Sequence, residues 1–594
     1  MVQKSKKLKQ GGNFLMKKLL VISMVIMISL FAFSKDFVVK DMFTPETPKL
    51  GGRVTTALSS APQSFNLYGT LDNAAYTIIP NVLSPLVEAN PITNEIEPGL
   101  AESWDVSADG KEVTFHLRDV KWSDGVQFNA NDVIFTLDYF VMNKFAEGNS
   151  IARYTINGEL VKWEKVDNMT VKATLPAPYG AFFTVLAQAP IYPEHKVSEL
   201  FNKNDLGSVN KIWTTDTNVK DIVSTGPYLI DNYVVDQKVI LKRNPNFWKV
   251  DKWGNRLPYV DTFEYLIVKD AEVAMAKFMA GEIDYIKVNS KDYPVLKQKE
   301  LQGADFVIFR GQPSKPTPSP LHITFNFDAK NDSLKELFRN DKFRQAMEYA
   351  LDRDRIIDEV YNTLAVYGGV PVLPSNKGFY NPKIEEIRRS FNLTKASKML
   401  DELGLKDIDN DGIREMKNGE DLSIVLLTKT TQEFQDIAYL YSEDLKNIGV
   451  KMNLQILDAG LQSQKALSGD FEMSLWAFGN QPDPQLRKAI WQPGNPLYYN
   501  HLSTMDSETR TAVKSEMYDW ELEVWNMFEK GQTEMNIDQR KSYYDKWQEI
   551  YAEKVPFIFV CKGMDLMGAQ KSVGNFYQMD DGTLVYLTYT VFDK

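Results

Sequence analysis

The sequence predicts an α/β protein assembled from more than one domain-sized unit, on three observations. Its 594 residues correspond to about four units at roughly 150 residues each. The first half reads as strands joined by tight hairpins. The second half contains a strand, a helix and a strand in quick succession, the pattern of a parallel crossover unit.

In chain order, Gly51 to Leu58 opens the folded body with a strand. Trp104 to Arg118 is a hairpin. Asp109-Gly110 supplies its turn, and Val113, Phe115 and Leu117 alternate with Thr114, His116 and Arg118 to put one face inward. Asp124-Gly125 makes a second turn. Asn129 then caps a helix, with Asp132 three residues on as in a capping box and Ile134, Leu137 and Val141 as its buried stripe. Leu175 to Pro193 is uncharged, but Pro176, Pro178, Gly180, Pro190 and Pro193 would break a spanning helix, so it reads as loop and short strands.

The second half changes character. Phe343, Met347 and Ala350 mark one amphipathic helix and Ile356, Ile357 and Val360 another, with Asp352 as a cap between them. Ser423 to Leu427 is a short apolar strand. Ile437, Tyr441, Leu445 and Ile448 keep helical spacing, Gly449 stops that helix, and Val450, Met452, Leu454 and Ile456 alternate as the next strand. No internal repeat or low-complexity tract is visible.

Composition narrows the function. The net charge is -11, and the first 34 residues carry lysines but no acids, so the remainder is more acidic still. Such a surface repels phosphate backbones and argues against nucleic acid as a partner. The one cysteine, Cys561, sits in the strand-like run Pro556 to Cys561 and reads as a buried, inert thiol. Four histidines (His116, His195, His322, His501) leave little for a histidine-rich metal centre. No phosphate loop, dinucleotide fingerprint, zinc-protease helix or nucleophile elbow occurs. No cofactor and no catalytic residue is expected. Asp407, Asp409 and Asp411 with Gly412 imitate the start of a calcium loop, but Asn418 stands at its twelfth position, and a solvated acidic turn is the better reading.

The N-terminus reads as an export signal. Lys17-Lys18 is basic, Leu19 to Phe33 is charge-free, and Ala32-Phe33-Ser34 offers small residues for cleavage. Its apolar run would span about 22 Å as a helix, short of the ~30 Å hydrocarbon core. Residues 1–34 are therefore expected to be a signal peptide, with 1–15 an upstream extension and Met16 the start. No cysteine follows to carry a lipid, which favours a soluble, periplasmic protein. Residues 35–50 read as a linker.

Specific motifs then accumulate. Pro98-Gly99-Leu100-Ala101-Glu102-Ser103-Trp104 is followed by Trp122-Ser123-Asp124-Gly125 and Asn131-Asp132-Val133. Next come Pro193-Glu194-His195, Thr225-Gly226-Pro227-Tyr228, Arg243-Asn244-Pro245-Asn246-Phe247-Trp248 and Ala280-Gly281-Glu282-Ile283-Asp284. Phe343-Arg344-Gln345-Ala346, Tyr349-Ala350-Leu351-Asp352-Arg353 and Leu445-Lys446-Asn447-Ile448-Gly449-Val450 continue the order. Through these blocks the chain resembles the extracytoplasmic solute-binding proteins of ABC importers, in the oligopeptide- and dipeptide-binding family (family 5). The resemblance implies a two-lobed periplasmic-binding-protein clamp with an extra subdomain in the first lobe. Lobe I would span 51–310, with the subdomain at about 80–215, lobe II 311–540, and residues 541–594 would return to lobe I. It also implies a monomer that binds reversibly and hands its ligand to membrane permease subunits; the competing classes are a secreted glycosidase-type enzyme and a chemoreceptor-like interaction protein.

The resemblance bears on the ligand too. Peptide binders of the family anchor the ligand's ammonium with an aspartate three residues before the acid of an acid-Pro pair, just after a Trp-containing strand. Here that pair is Asp483-Pro484, and the anchor position is Asn480. Asn is neutral and suits a hydroxyl better than an ammonium. With Trp476 and Phe478 beside it, an oligosaccharide or other neutral polar ligand is expected, with an oligopeptide as the alternative, including one held by Asp483 instead. Asn66 and Tyr68, in the segment matching the family's cleft floor, are further contact candidates, or else parts of a structural loop.

Overall fold

The computed structural model describes residues 37–594 except 40–43, 45, 71, 92, 94, 147–150, 312–319, 370, 375, 479, 480, 482, 579–581 and 583. The expected signal peptide therefore lies outside the described residues. Among those described, no helix is long and apolar enough to cross a membrane.

Lobe I is built on a four-stranded sheet, Tyr228–Val234, Lys238–Arg243, Thr262–Ile267 and Arg53–Leu58, in that spatial order; the last pair runs parallel and the others antiparallel. The subdomain is a four-stranded antiparallel sheet ordered Ala101–Val106, Glu112–Leu117, Thr170–Thr174, Lys162–Asp167. Its hairpin forms as the alternation requires: Gly110 adopts φ 70°, and Val113, Phe115 and Leu117 are buried. The capping box closes too, with the Asn131 amide donating to Asn129 Oδ1 at 2.8 Å and the Asn129 amide to Asp132 Oδ2 at 3.0 Å. The helix it starts, Ala130–Thr136, continues through a wider turn to Val141, burying Leu137 and Val141 and leaving Ile134 half-exposed. The subdomain and the main sheet share one continuous apolar core.

Lobe II is a five-stranded sheet ordered Lys451–Leu457, Ser423–Lys429, Met473–Trp476, His322–Phe325, Phe557–Phe559; the first three strands are mutually parallel and the last two antiparallel to their neighbours. The crossover runs from Ser423–Lys429 through the helix Gln432–Lys446 to Lys451–Leu457, and Gly449 takes the left-handed φ of 76° that ends the helix region. Aliphatic residues dominate one core of this lobe and aromatic residues another. The two lobes are joined by a chain passage after Gly311 and a second between Phe559 and Asp565, where Cys561–Gly563 pairs with Ala365–Tyr367.

Three readings differ from expectation. Residues 541–560 remain in lobe II, because the helix Ile537–Lys554 buries Tyr544, Trp547 and Tyr551 in the aromatic core and Phe557–Phe559 completes the sheet. The return begins at Asp565–Gln570, the middle strand between Tyr285–Lys287 and Phe306–Gly311. The stretch read as a linker is partly bound: Phe37–Val38 pairs in parallel with Lys249–Val250, and Val39 and Thr44 are buried. Finally, Leu175 to Pro193 holds one short helix, Phe182–Leu186, in the gap between its prolines.

Candidate functional site

The lobes meet where the subdomain touches the lobe II loop after the strand Met473–Trp476. Gln188 Nε2 donates to Gln481 Oε1 at 2.6 Å, the Gly180 amide to the Gln532 carbonyl at 3.2 Å, and Gln532 Nε2 to the Thr155 carbonyl at 3.1 Å. Leu486, from the same lobe II loop, packs into the lobe I core.

On the lobe II side stands an aromatic wall. Trp476 ends its strand, and Phe478 stacks on it with ring centroids 5.2 Å apart and planes 18° from parallel. Phe478 stacks in turn on His322 at 5.7 Å and 22°, and Tyr499 leans on Trp476 at 5.3 Å. Trp476 and Phe478 are half-buried, whereas Trp491 and Tyr499 behind them are buried. Phe478 is stacked by both Trp476 and His322, so the half-buried Trp476 at the end of this row is the ring suited to take a flat, partly apolar ligand face. Burial pushes the His322 imidazole down to about 4, so it packs as a neutral ring, with its Nε2 3.2 Å from the Tyr499 hydroxyl.

Asp483 is not available as a ligand anchor. Its carboxylate binds Arg540 through Nη1–Oδ2 at 2.5 Å and Nη2–Oδ1 at 2.8 Å, and it caps the following turn by accepting from the Gln485 amide at 2.9 Å. Burial works against the Arg540 charge, but the Asp483 carboxylate more than offsets it and raises the guanidinium pKa. Asn480 lies outside the described residues.

Asn66 and Tyr68 occupy the structural-loop role instead of facing the seam. Asn66 is fully buried, donates from Nδ2 to the Val209 carbonyl at 2.8 Å and accepts the Tyr68 amide at 3.0 Å. The Tyr68 hydroxyl donates to the Pro190 carbonyl at 3.1 Å, and its ring packs on Phe140 and Tyr192. Their polar atoms are committed to holding the segment in place.

The remaining chemistry is structural. Burial pushes the Cys561 thiol up to about 12, leaving it protonated and unreactive. His501 Nδ1 lies 2.9 Å from Glu521 Oε2 in a buried pair, and the Tyr498 hydroxyl donates to Glu521 at 3.0 Å. In the acidic turn, Asp407 and Asp409 gather with Glu415 and not with Asp411. Each of these carboxylates accepts a backbone amide, from Gly412, Asp411 and Ile408 respectively. A cavity of about 140 Å³ lies in lobe I among Phe37, Glu88, Lys249 and Tyr589. It is smaller than the roughly 300–1,000 Å³ that small-molecule sites occupy, and its lysine is paired with Glu88 at 2.5 Å.

Local motif reading missed the groups that converge on the seam from elsewhere: Tyr76, Arg153, Gln188 and Arg487. No local pattern marks them, since each comes from a different element and only the fold brings them together.

Comparison with known proteins follows the same architecture. The model for bacterial extracellular solute-binding proteins, family 5, matches residues 95–494. A probable ABC transporter-binding protein of Deinococcus radiodurans is 28% identical over 569 residues, covering 91% of this chain and 92% of its own. The Bacillus subtilis oligopeptide-binding protein AppA, solved with a nonapeptide, superposes with a TM-score of 0.72 at 22% identity, covering 92% of this chain and 100% of that one. The Agrobacterium fabrum binding protein MelB, solved with stachyose, gives a TM-score of 0.76 at 21% identity over 94% and 87% of the two chains. At these identities the solved structures bear on the fold alone.

Proposed function

The chain belongs to the bacterial extracellular solute-binding proteins of family 5, and from that premise we propose that it is the periplasmic capture component of an ABC importer for a polar oligomeric nutrient, with an oligosaccharide as the ligand class. The observation that carries the ligand class is the paired state of Asp483. The one carboxylate that the loop after Trp476 could offer an ammonium is already neutralised by Arg540, while the half-buried Trp476, backed by the stacked Phe478, offers an aromatic surface beside it. A flat ring face with hydroxyl-bearing edges matches a sugar better than a charged amino terminus.

Function follows from hinge motion. Two lobes on two chain passages close when the ligand binds the closed state more tightly than the open one. The closed form presents both lobes to permease subunits, and the ligand leaves chemically unaltered. Oligopeptide capture is the second reading, favoured by the peptide-bound relative of the same fold.

The test is mass spectrometry of small molecules released from the purified protein, with thermal shift against neutral and acidic oligosaccharides and against tri- to nonapeptides. A ligand raises the melting temperature by mass action. A saccharide shift without turnover is expected. A peptide held with a free amino terminus overturns the ligand class, and accumulation of hydrolysis products overturns the binding role.

A further inference from the structure

Two arginines, one from each lobe, lie at the seam with no carboxylate paired to them among the described residues. Arg487 closes the short turn Pro484–Arg487, directly after Leu486, which is inserted in the lobe I core. Its Nε is buried and has no hydrogen-bond partner among the described residues. Arg153 comes from the subdomain and donates from Nη1 to Gln188 Oε1 at 2.9 Å. Gln188 is the residue that crosses to Gln481 on lobe II at 2.6 Å, so Arg153 sits at the contact between lobes.

Tyr76, 44% exposed on the helix Asn73–Ile78, completes the group. The buried part of the ring raises its phenol pKa, and the positive charges of Arg153 and Arg487 both pull against that rise. Burial, then the charge of Arg153, pushes Arg487 down to about 10. The acid at the head of the same turn, Asp483, is committed to Arg540, and Lys488, the next residue, is committed to Glu529 at 2.5 Å. Neither Arg153 nor Arg487 has a carboxylate partner among the described residues.

Like charges held together in a partly dry seam repel, and the repulsion grows as the lobes close. In a chain with 79 acids against 68 bases, an unbalanced pair of guanidiniums is not a general surface property. The planar fork of arginine fits a carboxylate through two parallel hydrogen bonds. We propose that Arg153 and Arg487 form an anion seat divided between the lobes, so that the natural ligand carries a carboxylate or comparable acidic group and closure is favoured by neutralising both charges at once. This rests on the binding-protein reading above and narrows its ligand to an acidic oligomer, such as a uronic-acid oligosaccharide. A peptide's terminal carboxylate shares that chemistry.

The full secreted chain tests this in two arms. In the first, thermal shift compares sulfate with chloride at equal ionic strength for the wild type, Arg153→Gln, Arg487→Gln and the charge-retaining Arg487→Lys. A saturable sulfate shift in the wild type is expected, weakened about tenfold or more in both glutamine variants and partly kept in the lysine variant. Equal sulfate responses in all four proteins overturn the seat, whatever the natural ligand. The second arm compares trigalacturonate with its methyl ester and trialanine with its amide. Preference for an acid form by about tenfold, lost in Arg487→Gln, is expected; equal binding of acid and neutral forms overturns the seat. Response to trialanine alone keeps the seat and overturns the saccharide class.

Discussion

Arg540 grips Asp483 through two parallel hydrogen bonds of 2.5 and 2.8 Å, with 3% and 8% of the two side chains exposed. The pair ties the turn after the aromatic wall to the helix Ile537–Lys554, and so fixes the loop that touches lobe I.

Breaking this pair from one side leaves a buried charge without a partner. Arg540→Ala is expected to lower unfolding stability by about 3–5 kcal/mol, measured by urea denaturation. Replacing both residues, as in Asp483→Leu with Arg540→Met, should recover much of that loss, because no orphan charge remains. A single variant with wild-type stability would show the pair to be energetically idle.

The aromatic wall makes a separate prediction. Trp476→Ala or Phe478→Ala should weaken ligand binding by about 2 kcal/mol, roughly 30-fold in Kd, with little change in the far-ultraviolet circular dichroism. Calorimetric titration with the ligand identified by mass spectrometry reads the change directly. Unchanged affinity in both variants would move the site away from the wall.

Position 480 tests the ligand class from the sequence side. Asn480→Asp supplies the carboxylate that family peptide binders carry at this place, and a desolvated charge pair gained or lost there is worth about 2–5 kcal/mol. Free-amine tripeptides should gain affinity and their N-acetyl forms should not. No difference between the two peptide sets would mean that the anchor lies elsewhere.

Acid stability has a defined sign at His322. Burial holds its imidazole near a pKa of about 4, below the unfolded value of 6.5. The unfolded chain therefore binds the extra proton first, and the contribution of His322 is lost as pH falls from about 6.5 to about 4, amounting to ~3 kcal/mol at the low end. Asp444 slopes the other way: burial raises its carboxyl to about 6 against the pull of Arg355, so its contribution is lost as pH rises between about 4 and 6. Comparing wild type with His322→Gln isolates the histidine. The variant should lose less stability than the wild type between pH 6.5 and 4.

Cys561 offers a reporter of unfolding. With its thiol pushed up to about 12 and fully buried, it should resist iodoacetamide at pH 8 in the folded protein and react readily in urea. Prompt labelling of the native chain would contradict the packing of the strand region after Phe559.

Features governed by neighbouring residues were readable from the sequence. The Asp109-Gly110 turn, the Asn129–Asp132 capping box and the Gly449 helix stop each depend on a few adjacent groups, and each forms as expected. What escaped were relationships across long chain separations. The polar composition of residues 35–50 concealed the pairing of Phe37–Val38 with Lys249–Val250. The aromatic run from Tyr544 to Phe559 belongs to lobe II because of what it packs against, which its own pattern does not specify. Asp483 read as a free acid because Arg540, its partner, lies far along the chain. Arg153 and Arg487 carry no motif at all; only the contact between the lobes brings them to one seam.

The strand order has a consequence for how such a chain is made. Phe557–Phe559 supplies the edge beside His322–Phe325, and Asp565–Gln570 fills the centre of another sheet. Neither body can finish its hydrogen bonding until nearly the whole polypeptide has been delivered. A chain fed N-terminus first through a narrow channel stays threadable to the end of its passage, and its last segments lock both halves almost together on the far side.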